Sequence, residues 1–178
     1  MVDTPHLQQQ AELVNENNHE LCPMSPLEIG SKAPDFVVDS ASARTLYELL
    51  KEHAAPALVY FYPMDFSPAC TAQACMIRNA VKTTHADNEP LIIGVSSQGG
   101  ALHHAFQSFL GLNQRLIADR DRSIARSYGV LGRLGIYRRV SFCISPDAVI
   151  ESRATGNLVI SRHKRLVESF LAKSAGQE

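Results

Sequence analysis

Two cysteines five residues apart, Cys70 and Cys75, stand in the run Phe61-Tyr62-Pro63-Met64-Asp65-Phe66-Ser67-Pro68-Ala69-Cys70-Thr71-Ala72-Gln73-Ala74-Cys75. An apolar, β-prone stretch from Leu58 to Tyr62 leads into it, and a segment of helical character follows. Cys70 therefore falls where a strand and loop hand over to a helix N-terminus. Unpaired backbone N–H groups and the helix dipole stabilise negative charge there, which favours a thiolate. The thiolate is the reactive form of cysteine, and a second cysteine close behind points to redox chemistry rather than packing. The plainer reading is a buried, inert thiol.

Ionisation alone makes no fast enzyme. Lowering a thiol pKa from about 8.5 to about 6 raises its thiolate fraction at neutral pH by roughly thirtyfold at most. The rest of any rate enhancement must come from donors aimed at atoms where charge develops. Backbone N–H groups at Ala69 and Cys70 are candidates if a helix starts here. Read alone, Ser67 is a cap or turn serine, and Arg139 is a surface charge on a strand.

Three segments together carry a family resemblance. Pro63, Ser67 and Cys70 form a Pro-x-x-x-Ser-x-x-Cys loop after a strand ending in aromatics. Ile29-Gly30-Ser31-Lys32-Ala33-Pro34-Asp35-Phe36 and Arg139-Val140-Ser141-Phe142-Cys143-Ile144 flank it in the right order. The pattern resembles the peroxiredoxins, most of all the Q-type (bacterioferritin comigratory) branch of the thiol peroxidases, over roughly residues 29 to 172.

The resemblance implies Cys70 as peroxidatic cysteine and Cys75 as resolving cysteine. It also implies that Ser67 and Arg139 are donors around the peroxide and that Pro63 ends the strand and shields the thiolate. Arg138 is the competing arginine, on the opposite face of a strand. The implied activity is reduction of hydrogen peroxide and organic hydroperoxides, without metal, haem or flavin. A thioredoxin or glutaredoxin-like dithiol would recycle the enzyme, a monomer or weak homodimer. Two positions depart from the family pattern: Ala69 replaces a usual glycine, and Ser67 replaces the commoner threonine. If the loop needs a positive φ at 69, alanine is strained there.

The cysteine spacing then has a consequence. Five residues along an unbroken α-helix separate Cα atoms by roughly 8–9 Å, whereas a disulfide tolerates about 7 Å at most. A Cys70–Cys75 bond therefore requires the first turns of the helix to unwind. If Cys75 never forms it, Cys75 is a core residue and the enzyme uses one cysteine. An alternative from another class is a thioredoxin-fold copper-delivery protein with Cys70 and Cys75 as soft ligands. A thiol–disulfide exchange enzyme is a third reading, weakened by the lack of a C-x-x-C pair. Cys143 reads as a packed small hydrophobe, and Cys22 as incidental or as a second resolving thiol.

Elements that could position these residues alternate along the chain. Expected strands are 36–38, 57–62, 91–96, 115–118, 139–145 and 149–153; expected helices are 46–53, 70–83, 102–110, 123–128 and 162–173. Pro146-Asp147-Ala148 marks a hairpin between the last two strands. Alternating βα units closed by a hairpin and a helix give an α/β, thioredoxin-like fold: a central mixed β-sheet with helices on both faces. Residues 1–27 read as a leader, loose or weakly helical with Thr4 as cap, and 28–178 as the single peroxiredoxin-like domain.

Composition narrows the partners. The 178 residues carry a net charge of −1 and four cysteines, too few for a disulfide scaffold. That fits reduced thiols and a cytoplasmic protein. No apolar run reaches bilayer length, so no membrane association is expected. Arginines cluster at 115, 120, 122, 126, 133, 138 and 139, but without the pattern of a nucleic-acid binder. An acidic leader lying on that arginine-rich face is a sharper reading than plain solvated surface. The seven histidines show no metal spacing, and His103 and His104 are expected at the surface.

Overall fold

The computed structural model describes residues 25–39, 41–83, 90–157 and 159–175. The expected helix of the leader and Cys22 lie outside these residues. The described end of that segment is tied down: the Arg153 guanidinium donates to the carbonyls of Pro26 and Leu27, at 2.6 and 2.7 Å.

A small hairpin, β1 (Val37–Asp39) and β2 (Arg44–Thr45), leads into α1 (Leu46–His53). Thr45 caps this helix in a reciprocal capping box with Glu48. Then follow β3 (Ala57–Phe61), α2 (Pro68–Lys82), β4 (Leu91–Ser96), α3 (Gly100–Leu110), β5 (Arg115–Ala118), α4 (Ser123–Ser127), β6 (Val140–Ile144), β7 (Ile150–Thr155) and α5 (Ile160–Ala175). The five longer strands form one mixed sheet in the order β5-β4-β3-β6-β7. β3 runs parallel to β4 and antiparallel to β6. This is the thioredoxin-like α/β layout that the alternating pattern predicts.

β3 is buried on both faces because its alternate residues feed two cores. Ala57, Val59 and Phe61 pack with α1 and α4 through Leu46, Leu49, Leu50 and Ala125. Leu58, Tyr60 and Tyr62 pack with α2 and α5 through Ile77, Leu166, Val167 and Phe170. Among the described residues no helix is long and apolar enough to cross a membrane.

Strand register decides what meets at one end of the sheet. Phe61, the last residue of β3, pairs with Val140, the first of β6, and Val140 pairs with Thr155, the last of β7. The loop after β3, the residue before β6 and the residues after β7 therefore converge. Arg139 and Asn157 are brought beside the loop leading to Cys70.

Candidate active site

α2 begins at Pro68, two residues before the expected start, with Ser67 as N-cap. Proline suits this first position because its missing N–H has no partner there anyway. Cys70 thus lies within the first turn, where the N–H groups of Ala69 and Cys70 have no intrahelical acceptor. The Cys70 side chain is buried, with the residue only 2% exposed. Ala69 is not among the residues of positive φ; the left-handed residue of the loop is Phe66, at φ 59°. Alanine at 69 is therefore unstrained, and the loop's backbone strain sits three residues earlier.

Arg139 Nη2 donates to Cys70 Sγ at 3.1 Å, and Arg139 is 3% exposed. Its Nε donates to the Asn157 carbonyl at 3.0 Å, and its Nη1 donates to Gln73 Oε1. Asn157 Oδ1 accepts from the Arg139 backbone N–H at 3.0 Å. The guanidinium is held from three sides. Of its five N–H donors, these contacts occupy three among the described residues, which leaves two for an incoming oxygen. Arg138, the competing choice, is half-buried, and it is the Arg139 guanidinium that reaches Cys70.

The other expected residues are placed as follows. Pro63 is half-buried just beyond β3. The Ser67 hydroxyl donates to the Met64 carbonyl at 3.1 Å, so its lone pairs remain to accept. Cys75 lies on the same unbroken helix as Cys70, half-buried, and both are free thiols. The pair is held apart, as helix geometry requires. Cys143 is buried, and burial pushes its thiol up to about 11 against smaller opposing effects of Ser152 and Lys173. It is a packed thiol with little access to the thiolate form.

Several supporting residues escape a reading by family pattern. Gln73 lies one turn after Cys70 on the same face of α2, a spacing that could have flagged it. Its Nε2 reaches Ser141 Oγ at 3.4 Å, and Ser141 Oγ lies 2.9 Å from His163 Nδ1. His163 Nε2 closes the chain on the Gly156 carbonyl at 3.1 Å. Burial holds His163 below the ordinary imidazole range, with the nearby Arg139 charge acting in the same direction and the Gly156 hydrogen bond opposing. No local signal marks Asn157, whose place follows from strand register alone.

His103 corrects the sequence expectation. It is 2% exposed rather than on the surface, and its Nδ1 lies 2.7 Å from Asp65 Oδ2. α3 starts at Gly100, so His103 and Phe106 share its inward face while His104 points to solvent. The inward turn was hidden because His103-His104 are polar neighbours on a helix whose phase the sequence leaves open.

This arrangement can hold a nucleophilic sulfur against a fixed cation and offer further donors to a small oxygen-bearing substrate. It does not suit a soft metal cation: the guanidinium beside Sγ opposes a second positive charge there. Among the described residues no group of three or more His, Cys, Asp or Glu is placed to hold a metal ion.

The chain is similar to known proteins. Residues 29–153 match the AhpC/TSA family. A putative peroxiredoxin bcp of Helicobacter pylori is 30% identical over 137 residues, covering 72% of this chain and 88% of the relative. A chloroplastic peroxiredoxin Q of Oryza sativa subsp. japonica is 35% identical over 102 residues, covering 57% of this chain and 46% of the relative. The match thus spans about half the length of such plant relatives. The crystal structure of peroxidoxin BcpB from Mycobacterium tuberculosis superposes with a TM-score of 0.71 at 23% identity, covering 83% of this chain and 97% of that one.

Proposed function

Because the chain belongs to the AhpC/TSA family, in its peroxiredoxin Q (Bcp) branch, we propose that it is a thiol peroxidase acting through Cys70 on hydrogen peroxide and organic hydroperoxides. The observation that carries this reading is the 3.1 Å contact between Arg139 Nη2 and Cys70 Sγ at the N-terminus of α2.

The Cys70 thiolate attacks one peroxide oxygen and the O–O bond breaks. The bonding pair leaves on the other oxygen, which takes a proton and departs as water or alcohol. Cys70 is oxidised to sulfenic acid. The free N–H groups of Arg139 and the backbone N–H groups of Ala69 and Cys70 stabilise charge developing on the two oxygens, while the Ser67 hydroxyl, whose hydrogen goes to the Met64 carbonyl, accepts from the peroxide O–H. Pro63 closes the loop against bulk water.

Cys75 then attacks the Cys70 sulfenic sulfur, an S–S bond forms, and the oxygen leaves as water. The step requires α2 to unwind from its N-terminus. A thioredoxin or glutaredoxin-like dithiol reduces the disulfide, becoming oxidised itself; the cytoplasm is a compartment that supplies it.

Peptide-mapped mass spectrometry after one equivalent of hydrogen peroxide, without reductant, tests the reading. A Cys70–Cys75 disulfide is expected. Oxygen on Cys70 with Cys75 free would keep the peroxidase and assign resolution to an outside thiol. An unmodified Cys70 would remove the reading.

A further inference from the structure

A second buried polar cluster lies on the active-site loop, on the side away from Arg139. Asp65 sits between Pro63 and Cys70, and both of its carboxylate oxygens are occupied. Tyr62 OH donates to Oδ1 at 2.7 Å, and His103 Nδ1 meets Oδ2 at 2.7 Å. The Asp65 backbone N–H donates to Gln98 Oε1. On the far side of the ring, His103 Nε2 lies 3.2 Å from the Ile117 carbonyl, which can only accept. Ser96 Oγ stands 3.5 Å from the same nitrogen, and the short Nδ1–Oδ2 contact ties the ring directly to the carboxylate. The pair is fully enclosed: the side chains of His103 and Asp65 are 3% and 0% exposed.

The next loop residue is gripped by the same helix. Phe66 takes a left-handed φ of 59°, which disfavours a bulky side chain. Its ring packs edge-on against Phe106, centroids 5.1 Å apart, and against Phe109 at 6.0 Å. α3 thus holds two consecutive residues of the loop, one by a short buried hydrogen bond and one by aromatic packing. The loop stores backbone strain that it would release on opening.

We infer that the Asp65–His103 pair, with the Phe66 contacts, is a clamp by which α3 sets the balance between the folded loop, competent for peroxide, and the unwound loop, competent for disulfide formation. The inference rests on the peroxidase reading of Cys70. Asp65 and His103 are positioning residues that act through the loop and not on the Cys70 sulfur. The folded loop exposes a Cys70 sulfenic acid to a second peroxide, which adds oxygen to give sulfinic acid and water. The unwound loop lets Cys75 expel the oxygen as water and form the disulfide. Clamp strength therefore partitions the sulfenic acid between these two fates.

His103→Leu keeps about the same volume and leaves Asp65 Oδ2 without its partner, while Tyr62 still holds Oδ1; the buried oxygen finds water most readily by swinging out with its loop. The test oxidises wild type and variant with rising hydrogen peroxide and counts Cys70 disulfide against Cys70 sulfinic acid by mass spectrometry. The peroxide concentration giving equal amounts is expected to rise about tenfold in the variant. Leu50→Ala, a remote core cavity of comparable melting loss, should leave the ratio unchanged. Should His103→Leu not fold, Phe109→Ala decides the question: this side chain is 77% exposed, and its loss should move the ratio the same way by about threefold.

A shift equal to that of Leu50→Ala means that stability alone is being read and overturns the clamp. A folded variant with the wild-type ratio also overturns the clamp, and the peroxidase stands. A wild type whose Cys70 gains neither oxygen nor disulfide overturns both.

Discussion

The Arg139 guanidinium lies 3.1 Å from Cys70 Sγ across sixty-nine residues of sequence. The contact is a product of strand pairing: the end of β3 and the start of β6 are register partners, Phe61 with Val140. Cys70 hangs from the first of these strands and Arg139 precedes the second. Any shift of register between them would separate the Cys70 sulfur from the Arg139 guanidinium.

Arg139→Lys isolates geometry from charge. Lysine keeps the positive charge but cannot reach Cys70, Gln73 and the Asn157 carbonyl together as a planar fork does. The second-order rate of Cys70 with hydrogen peroxide should fall by about a hundredfold. Stopped-flow oxidation measures it. An unchanged rate would mean that a cation nearby suffices and that the three-sided hold on Arg139 has no role in the reaction.

Gln73→Leu removes one of the anchors of that fork and leaves Ser141 Oγ without its donor from α2. The unpaired buried groups should lower stability by about 1–3 kcal/mol. The peroxide rate should fall by about tenfold, because a loosened guanidinium points its free N–H groups less well. Urea titration and the same rate measurement separate the two effects. A stability loss with an intact rate would make Gln73 a purely structural residue.

Much of this was legible because local signals and global fold agree. Residues 57–62, 91–96 and 115–118 read as strands, and Pro146-Asp147-Ala148 read as the hairpin that makes the last two strands an antiparallel pair. The loop motif singled out Cys70, Ser67 and Pro63, and of these the structure sets Cys70 against Arg139. What stayed hidden depends on tertiary register or helix phase. Asn157 is ordinary in its own segment and matters because Thr155 pairs with Val140. His103 is one of two adjacent histidines in an otherwise apolar run from Ala101 to Phe106, and only its partner Asp65, thirty-eight positions away, makes its burial sensible. The strain at Phe66 has no compositional sign either, since left-handed backbone is usually marked by glycine or asparagine.

Cys143 should be the last described thiol to be alkylated. Burial pushes its pKa up to about 11, so little of it is thiolate at pH 8, and its strand is paired on both sides. Cys75 is half-buried on α2 and should react first of the two. Timed iodoacetamide labelling of reduced protein with peptide mapping gives the order. Early labelling of Cys143 would show that the second core opens more readily than its packing implies.

His163 should make the fold acid-sensitive. It is buried as the neutral ring: Nε2 donates to the Gly156 carbonyl, and Nδ1 accepts from the Ser141 hydroxyl. Its folded pKa is lowered from 6.5, chiefly by burial. Below the unfolded value the unfolded chain therefore binds a proton that the native state refuses, and stability falls with pH. The stabilisation is complete above about pH 6.5 and is lost as pH drops through the lowered native value. His163→Gln retains a donor for Gly156 but cannot titrate. It should melt below wild type at pH 7.5, with the gap narrowing as pH falls below 6.5, as followed by thermal melts in matched buffers. A gap that stays constant or widens would mean that His163 is not held neutral, and the chain from Gln73 through Ser141 to Gly156 would then have to carry its hydrogens in the opposite sense.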